Sequence, residues 1–389
     1  MLSLLQEVVP VMAASGQKLQ ANELMRLVSC CWVLRATLQN LELDLSARPS
    51  PASRLLQFIA LNAARFQLVS VDVDRCTQEA FDALLLVPGL RALTVRGPAS
   101  SIRSLAGAER ARSLQTLRLL KGVSVELADD LGPLTACRPL THLCLYGPAP
   151  LASLGPLACC ARLESLDLRG CEALVDVEPL VSAGRAACHG LRSLSLRGCR
   201  SLCVVSPLRA LLALESLDLS CTLVSDVSML CECPKLKTLT LTGCASLSDV
   251  SPLVGLDGEC ESRHSCWARE SLHSLHHSLH LHSLHSCQGL KFTACTAINA
   301  SPPLHSPSRL VGCHALDTLY LTGCSNLSAV GCLAECHALR QLHLNKCRAV
   351  VDVGALGGCP TLRLLNLRCS GALVVPAGRP GLLVLFDVH

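Results

Sequence analysis

A motif of the form Leu-x-x-Leu-x-Leu recurs along most of this chain, and its spacing restricts the fold more than any other feature. It begins at Leu163 and again at Leu191, in two similar stretches that both end in Arg-Gly-Cys. Other copies begin at Leu38, Leu68, Leu90, Leu114, Leu140, Leu214, Leu236, Leu316, Leu339 and Leu362, with a degenerate copy near Leu382. From Leu38 to Leu362 the intervals are 22 to 30 residues, except for one of 80 between Leu236 and Leu316. A recurring period of about 20 to 50 residues indicates a stack of similar structural units.

Each unit combines two kinds of apolar spacing. Leu166 and Leu168 alternate with polar residues, which is the period of a half-buried strand. Leu174, Val177 and Leu180 then recur at every third residue, as on a tight helical or 3₁₀ turn. With 82 leucines among 389 residues, the chain is too apolar to be disordered. One unit cannot bury its leucines alone, so the sequence predicts a solenoid in which neighbouring units cover each other.

These units resemble leucine-rich repeats. The stretch from Leu236 to Leu253 shows the whole pattern, Leu-x-x-Leu-x-Leu-x-x-Cys-x-x-Leu-x-Asp-Val-x-Pro-Leu. Cysteine in the ninth position resembles the cysteine-containing subtype, whereas the period of 22 to 23 residues and the Ser-Asp-Val-Ser-Pro-Leu tail resemble internalin-type repeats. The mixture is similar to leucine-rich-repeat proteins of kinetoplastid protozoa. The resemblance implies an α/β solenoid, a curved horseshoe with a parallel sheet on its concave side and short helical or 3₁₀ turns outside.

The repeat divides the chain into four stretches. Residues 1–37 precede the first unit, residues 38–258 hold repeats, residues 259–313 interrupt them, and residues 314–389 carry further repeats and a C-terminal cap. In the first stretch, apolar residues at helical spacing predict two or three short helices that cap the solenoid. The segment from Leu24 to Trp32 alternatively resembles the second half of an F-box, which implies binding to a Skp-like adaptor. The usual Leu-Pro opening of that motif is absent, and both interpretations stay open.

The interruption contains a slipped Ser-Leu-His repeat between Ser271 and His285. Histidine-rich tracts can bind zinc or copper, and Cys260, His264 and Cys266 lie nearby. Their spacing is not that of a structural zinc site. We therefore expect residues 259–313 to be an exposed, flexible loop, and we expect no metal and no other cofactor.

Cysteine and aspartate follow the repeat, which favours structural roles for both. We assign seven cysteines to the ninth position of a unit: Cys171, Cys199, Cys221, Cys244, Cys324, Cys347 and Cys369. Seven more lie three residues before a unit: Cys137, Cys160, Cys188, Cys233, Cys313, Cys336 and Cys359. These are predicted to be small, buried residues at turns. Four aspartates that share one repeat position, Asp176, Asp226, Asp249 and Asp352, are predicted to bind backbone N–H groups in turns.

Charge, hydropathy and motifs exclude several classes of function. A net charge of +4 does not favour a nucleic-acid partner. No stretch of about 18 residues is free of charged and turn residues, so we expect no membrane contact. The first residues lack a basic signal region, which predicts a cytoplasmic protein, or alternatively a nuclear one, with reduced thiols. No nucleotide-binding, metalloprotease or serine-hydrolase motif is present, so the chain is not expected to be an enzyme.

Twelve strands spaced by about 4.8 Å would form a face roughly 55 Å long, which suits a protein partner rather than a metabolite. The third, fifth and seventh residues of each unit should point out of this face. The candidate partner-binding residues are Arg96, Arg118, His142, Tyr146, Asp167, Arg169, Arg197, Asp218, Thr240, Tyr320, Thr322, His343, Asn345 and Arg368. The chain has only two tyrosines, and both are in this set. The sequence thus predicts a protein–protein interaction scaffold, or alternatively an F-box-type substrate receptor of a ubiquitin ligase.

Overall fold

The computed structural model describes a curved leucine-rich-repeat solenoid. It covers residues 67–254 and 313–386, apart from residues 75, 88, 98–99, 121–122, 126–130, 148–150, 152, 182–187 and 377–379, together with the strands at Leu19–Gln20 and Gln39–Leu45. The strands are β1 Leu19–Gln20, β2 Gln39–Leu45, β3 Gln67–Asp74, β4 Ala92–Arg96, β5 Ser101–Ile102, β6 Thr116–Leu119, β7 Ser124–Val125, β8 His142–Leu145, β9 Ser165–Asp167, β10 Ser193–Ser195, β11 Ser216–Asp218, β12 Thr238–Thr240, β13 Thr318–Tyr320, β14 Gln341–His343, β15 Leu364–Asn366 and β16 Leu383–Leu385. One α-helix, α1, spans Gln78–Leu85. Fourteen strands form a parallel sheet in chain order, and β5 and β7 form a separate pair.

The register of the sheet places the repeated leucines opposite one another. Leu166, Leu194 and Leu217 are paired across β9, β10 and β11, and each is at most 1% exposed. The sixth residue of each unit, such as Leu168, is also buried. Burying a leucine side chain contributes about 1.5–3 kcal/mol. The core is therefore a continuous stack of leucines between the sheet and the outer turns.

Short 3₁₀ segments form the outer side and confirm the predicted role of the four aspartates. These segments are Ala106–Arg110, Gly132–Ala136, Gly155–Cys159, Glu178–Leu180, Ser206–Ala210, Ser228–Glu232, Ser251–Leu253, Gly331–Glu335 and Gly354–Gly358. Asp176, Asp226, Asp249 and Asp352 each accept a hydrogen bond of 2.8 Å from the backbone N–H two residues later. Each bond satisfies an N–H group at the start of a 3₁₀ segment that would otherwise lack a partner.

The chain turns sharply at the eighth residue of each unit, where the backbone is left-handed. Glycine holds this place in several units, as at Gly170 with a φ of 83° and Gly243 with a φ of 72°. Cys221 and Cys369 adopt the same conformation, with φ of 58° and 54°, and both are exposed. Our assignment of these two cysteines to the buried ninth position is therefore wrong. The two cysteines take the eighth position instead, where the left-handed backbone usually requires glycine.

The other twelve repeat cysteines are buried, as predicted, and form two ladders along the solenoid. In the first ladder, the thiol of a ninth-position cysteine donates to a carbonyl of the preceding unit, as from Cys324 Sγ to Leu241 O at 3.1 Å. In the second ladder, the cysteine three residues before a unit does the same, as from Cys233 Sγ to Leu208 O at 3.5 Å. Eleven of these twelve thiols thus donate a hydrogen bond to a carbonyl oxygen at the junction between units.

The two ends of the sheet differ from the sequence expectations. Residues Leu19 and Gln20, inside the stretch predicted to be helical, form strand β1 and pair with Leu43 and Asp44. At the other end, Val384 of β16 stands opposite Leu365. The last unit therefore begins at Gly381, one residue before the leucine that the motif indicates. Among the described residues, no helix is long and apolar enough to cross a membrane.

The sheet continues directly across the long interval between Leu236 and Leu316. Strands β12 and β13 are paired, with Leu239 opposite Leu319. The backbone N–H of Cys313 donates to Leu253 O at 3.0 Å, and its thiol donates to Leu230 O at 3.3 Å. Cys313, the last residue of the predicted interruption, is thus part of the second cysteine ladder. The His-rich tract itself lies outside the described residues.

We propose that the interruption can be removed without loss of stability. Deleting residues 256–312 leaves two residues between Leu253 and Cys313, as in the unit that holds Leu230 and Cys233, and restores an interval of 23 residues. The melting temperature should stay the same or rise, since closing a loop costs about 0.6 kcal/mol more for each doubling of its length. The matched control deletes one residue more, Cys313, and should melt at a lower temperature because the register shifts. A lower melting temperature for the first deletion would contradict the proposal.

Candidate functional site

The strand period places the candidate residues on the concave face. Five of the fourteen, Arg96, Arg118, Arg169, Arg197 and Arg368, are exposed; the others, His142, Tyr146, Asp167, Asp218, Thr240, Tyr320, Thr322, His343 and Asn345, are half-buried. The fifth residues of the units form one row across the strands. That row runs Asp72, Thr94, Arg118, Cys144, Asp167, Ser195, Asp218, Thr240, Tyr320, His343 and Asn366. The seventh residues form a parallel row beside it.

Two ion pairs organise the N-terminal half of the face. Arg96 contacts Asp72 at 3.1 Å, and Arg169 contacts Asp167 at 2.7 Å. The hydrogen bonds to Asp167 raise the pKa of Arg169, so this guanidinium stays charged. The same guanidinium lies 5.8 Å from the centre of the Tyr146 ring, in cation–π contact. Asp167, Arg169 and Tyr146 therefore form one preorganised group.

Five residues of the central row are absent from the sequence-predicted set: Asp72, Thr94, Cys144, Ser195 and Asn366. The Asp72 side chain is only 8% exposed beneath Arg96. Cys144 stands opposite Arg118 on one side and Asp167 on the other. Burial and the charge of Asp167 raise the pKa of its thiol to about 12, so it is a neutral thiol near pH 7. Counting to the fifth position in every unit would have found all five residues.

The C-terminal half of the face is built around an aromatic pair. The rings of Tyr320 and His343 stack with their centres 4.4 Å apart and an angle of 18° between their planes. Burial lowers the pKa of His343, which keeps the ring neutral near pH 7. Its Nε2 atom and the Oδ1 atom of Asn345 are buried, and neither has a hydrogen-bond partner within the described part of the chain. Buried polar atoms are rarely left in this state.

A row of alternating charges runs along one edge of the face, at the second residue of each unit. Glu215 pairs with Arg192 at 3.2 Å and with Lys237 at 2.7 Å. Further along, Arg340 pairs with Asp317 at 3.4 Å. Exposed pairs of this kind contribute little to stability. Their consequence is that this edge is largely neutral, although it is rich in charged side chains.

The described residues offer no metal site in this region. They contain no group of three or more histidine, cysteine, aspartate or glutamate side chains arranged to hold a metal ion. The His-rich tract near Cys260 and His264 lies outside the described residues, so the metal interpretation of that segment is a matter of sequence alone. The face as described can form ion pairs, hydrogen bonds and aromatic contacts.

The solenoid is similar to known structures of leucine-rich-repeat proteins. An internalin (inlF) of Listeria monocytogenes has a TM-score of 0.54 at 16% sequence identity, over 81% of this chain and 74% of the internalin. A leucine-rich-repeat protein of Leptospira interrogans has a TM-score of 0.42 at 13% identity, over 92% of this chain and 95% of its own. The functional domain of the Listeria monocytogenes protein InlJ, which includes a cysteine ladder, has a TM-score of 0.39 at 15% identity, over 82% of this chain and 63% of the InlJ domain. No protein-family model and no curated protein matches the sequence. The similarity to the first internalin supports the fold, a leucine-rich-repeat solenoid.

Proposed function

We propose that this chain is a protein–protein interaction scaffold that binds a protein partner on the concave face of its sheet. The observation that carries the proposal is the cluster of Tyr320, His343 and Asn345. Two polar atoms in this cluster are buried without a hydrogen-bond partner among the described residues. Such an atom costs about 1–3 kcal/mol, and a partner that supplies the missing bond recovers this free energy. Tyrosine is also among the residue types that most often dominate binding energy.

The thiol in the central row supports binding rather than catalysis. A nucleophilic cysteine needs a lowered pKa, because the thiolate is the reactive form. Burial acts in the opposite direction at Cys144 and raises the pKa to about 12. His142 lies two residues earlier in the same strand. Its Nδ1 atom and Thr141 Oγ1 form a hydrogen bond of 2.8 Å. We therefore propose a scaffold without catalytic activity.

The test is site-specific crosslinking in cells of the source. A photoreactive phenylalanine analogue replaces Thr240 or Thr322, which flank the cluster, or Val204 as a control. Val204 is 53% exposed just before the 3₁₀ segment Ser206–Ala210, away from the concave face. We expect one common protein to crosslink at residues 240 and 322 and not at residue 204. Adding H343A and N345A should reduce the crosslinked yield at least tenfold. Equal crosslinking at all three residues would overturn the proposal.

The alternative, an F-box-type substrate receptor of a ubiquitin ligase, rests on the segment from Leu24 to Trp32. That segment lies outside the described residues. Strand β1, at Leu19–Gln20, lies within residues 1–37 and joins the sheet by pairing with β2. Pairing of this kind supports a capping role for residues 1–37, so we place the F-box and its Skp-like adaptor second. The likeness of the units to kinetoplastid repeat proteins is likewise a sequence-based proposal.

We also propose that the protein works in a reducing compartment, either the cytoplasm or the nucleus. All 20 described cysteines are free thiols. Neighbouring units bring several of these thiols close together. Cys231, Cys233 and Cys336, for example, lie near enough to Cys313 to contribute to its raised pKa. Disulfides persist mainly in oxidising environments, where so many thiols would be exposed to oxidation during folding.

A further inference from the structure

We propose that the partner presents an acidic, extended segment to the concave face, with two carboxylates that pair with Arg118 and Arg197. This inference rests on the proposed function, since it names the chemistry of the partner on the same face. Its basis is the balance of charges in the outward rows of the sheet. Arg118 lies in β6, and Arg197 lies two residues after the end of β10. Both side chains are exposed.

Most carboxylates of the face already have partners within it. Asp72 is paired with Arg96, and Asp167 is paired with Arg169. Asp218 accepts a hydrogen bond of 2.9 Å from the backbone N–H of Ser220. The ion pairs neutralise Asp72 and Asp167, whereas Asp218 keeps its negative charge and is held by hydrogen bonds to Ser220.

Arg118 and Arg197 are different, because neither forms an ion pair with any described residue. The edge row that contains Glu215 is neutralised by its own arginine and lysine. A partner approaching this part of the face therefore meets two guanidinium groups without an ion-pair partner, against one carboxylate, that of Asp218, which forms no ion pair with a described cation. Carboxylates match guanidinium geometry well, since both oxygens can accept hydrogen bonds from one arginine. Charge complementarity thus favours an acidic segment.

The distance between the two arginines indicates how the segment lies. Three strand spacings separate β6 from β10 in the sheet order, which is about 14 Å. An extended chain advances about 3.3 Å per residue, so carboxylates four residues apart, which point to the same side of the chain, can reach both guanidinium groups. The segment then crosses the strands along the axis of the solenoid rather than adding a strand at an edge.

Two groups near the arginines suit a peptide main chain. Ser195 stands in the central row, and its Oγ atom is buried without a hydrogen-bond partner in the described structure. A peptide N–H or C=O group that crosses the row at this point can supply the missing bond. The Tyr146 ring, backed by Arg169, adds a flat apolar surface beside it. A nucleic acid would use many cations along its backbone, whereas this region offers two, so a peptide is favoured.

The experiment pans the full-length chain against a displayed library of random 12-residue peptides at low salt. We expect the enriched peptides to carry two acidic residues four positions apart. The double variant R118E/R197E should reduce binding of a selected peptide at least tenfold. The control R110E/R112E changes the net charge equally at exposed residues of an outer turn and should leave the affinity within twofold.

Several outcomes would overturn the inference. They are enrichment without acidic residues, no enrichment at all, or acidic peptides that bind R118E/R197E as well as the unmodified chain. Binding of a labelled 20-nucleotide single strand that depends on Arg118 and Arg197, without acidic peptide enrichment, would also overturn it in favour of a nucleic acid. Failure here leaves the crosslinking at residues 240 and 322 as a separate result. A failed inference and a failed proposed function are therefore distinguishable.

Discussion

The free energy of unfolding should fall steeply above pH 9, because burial raises the pKa of many thiols in the folded core. The pKa is about 12 for Cys76, Cys144, Cys160, Cys171, Cys199, Cys233, Cys324 and Cys336, and about 11 for Cys137 and Cys188, against an ordinary value of 9.0. Above pH 9 the unfolded chain releases these protons and the folded chain keeps them. The stability that neutral thiols provide is thus complete below pH 9 and is lost as the pH rises toward 12.

The expected effect is large because the thiols act together. One buried thiol lowers the free energy of unfolding by about 1.4 kcal/mol for each pH unit in this window. Ten such thiols together remove about 14 kcal/mol per pH unit, which is comparable to the whole stability of a typical protein, about 5–15 kcal/mol. The chain has 26 cysteines but only six lysines and two tyrosines, so thiols dominate its titration between pH 9 and 11. We therefore expect unfolding between pH 9 and 11 at room temperature.

Urea unfolding in the presence of a reductant, repeated from pH 7 to 10.5, measures this effect. The variant C324S removes one thiol of the first ladder, and C369S removes an exposed thiol as the matched control. The slope of stability against pH should be shallower by about 1.4 kcal/mol per pH unit in C324S and unchanged in C369S. Comparing slopes cancels any change in stability at neutral pH. A protein that stays equally stable to pH 10.5, or equal slopes in both variants, would contradict the expectation.

The repeat architecture could be predicted because every unit carries the same sequence pattern. The alternation of Leu166 and Leu168 with polar residues indicates a strand, and the aspartate at position 176 marks the start of a 3₁₀ segment. Because twelve units share this pattern, a wrong assignment in one of them does not change the predicted fold. The misplacement of Cys221 has a physical cause. A residue in left-handed conformation takes the eighth position in this unit, and Thr222 takes the buried ninth position in place of cysteine.

The candidate face was predictable in outline and not in its contacts. The period of two determines that Tyr320 and His343 point out of the sheet, and the parallel register makes them neighbours. Whether two outward side chains stack, pair or stay apart depends on rotamers, which the sequence pattern does not contain. The pairing of Asp167 with Arg169 therefore required coordinates.

The second large effect is expected for L239A. Leu239 is fully buried in β12, between Leu217 of β11 and Leu319 of β13. Removing a buried leucine leaves a cavity and typically costs about 2–5 kcal/mol. The matched control T240A changes the next residue, which points out of the face, and should cost less than about 0.5 kcal/mol. Urea unfolding of both variants provides the measurement.

The size of this loss also tests whether the two blocks of repeats form one stack. In a solenoid each unit is stabilised by its neighbours, so a core leucine depends on packing from both sides. Leu194, with contiguous units on either side, gives the reference value through L194A. If β12 and β13 pack as tightly as other neighbours, L239A and L194A should lower stability by similar amounts. A loss for L239A well under half that of L194A would show that Leu239 lacks a packed neighbour on the β13 side, and that the 80-residue interval separates two independent solenoids.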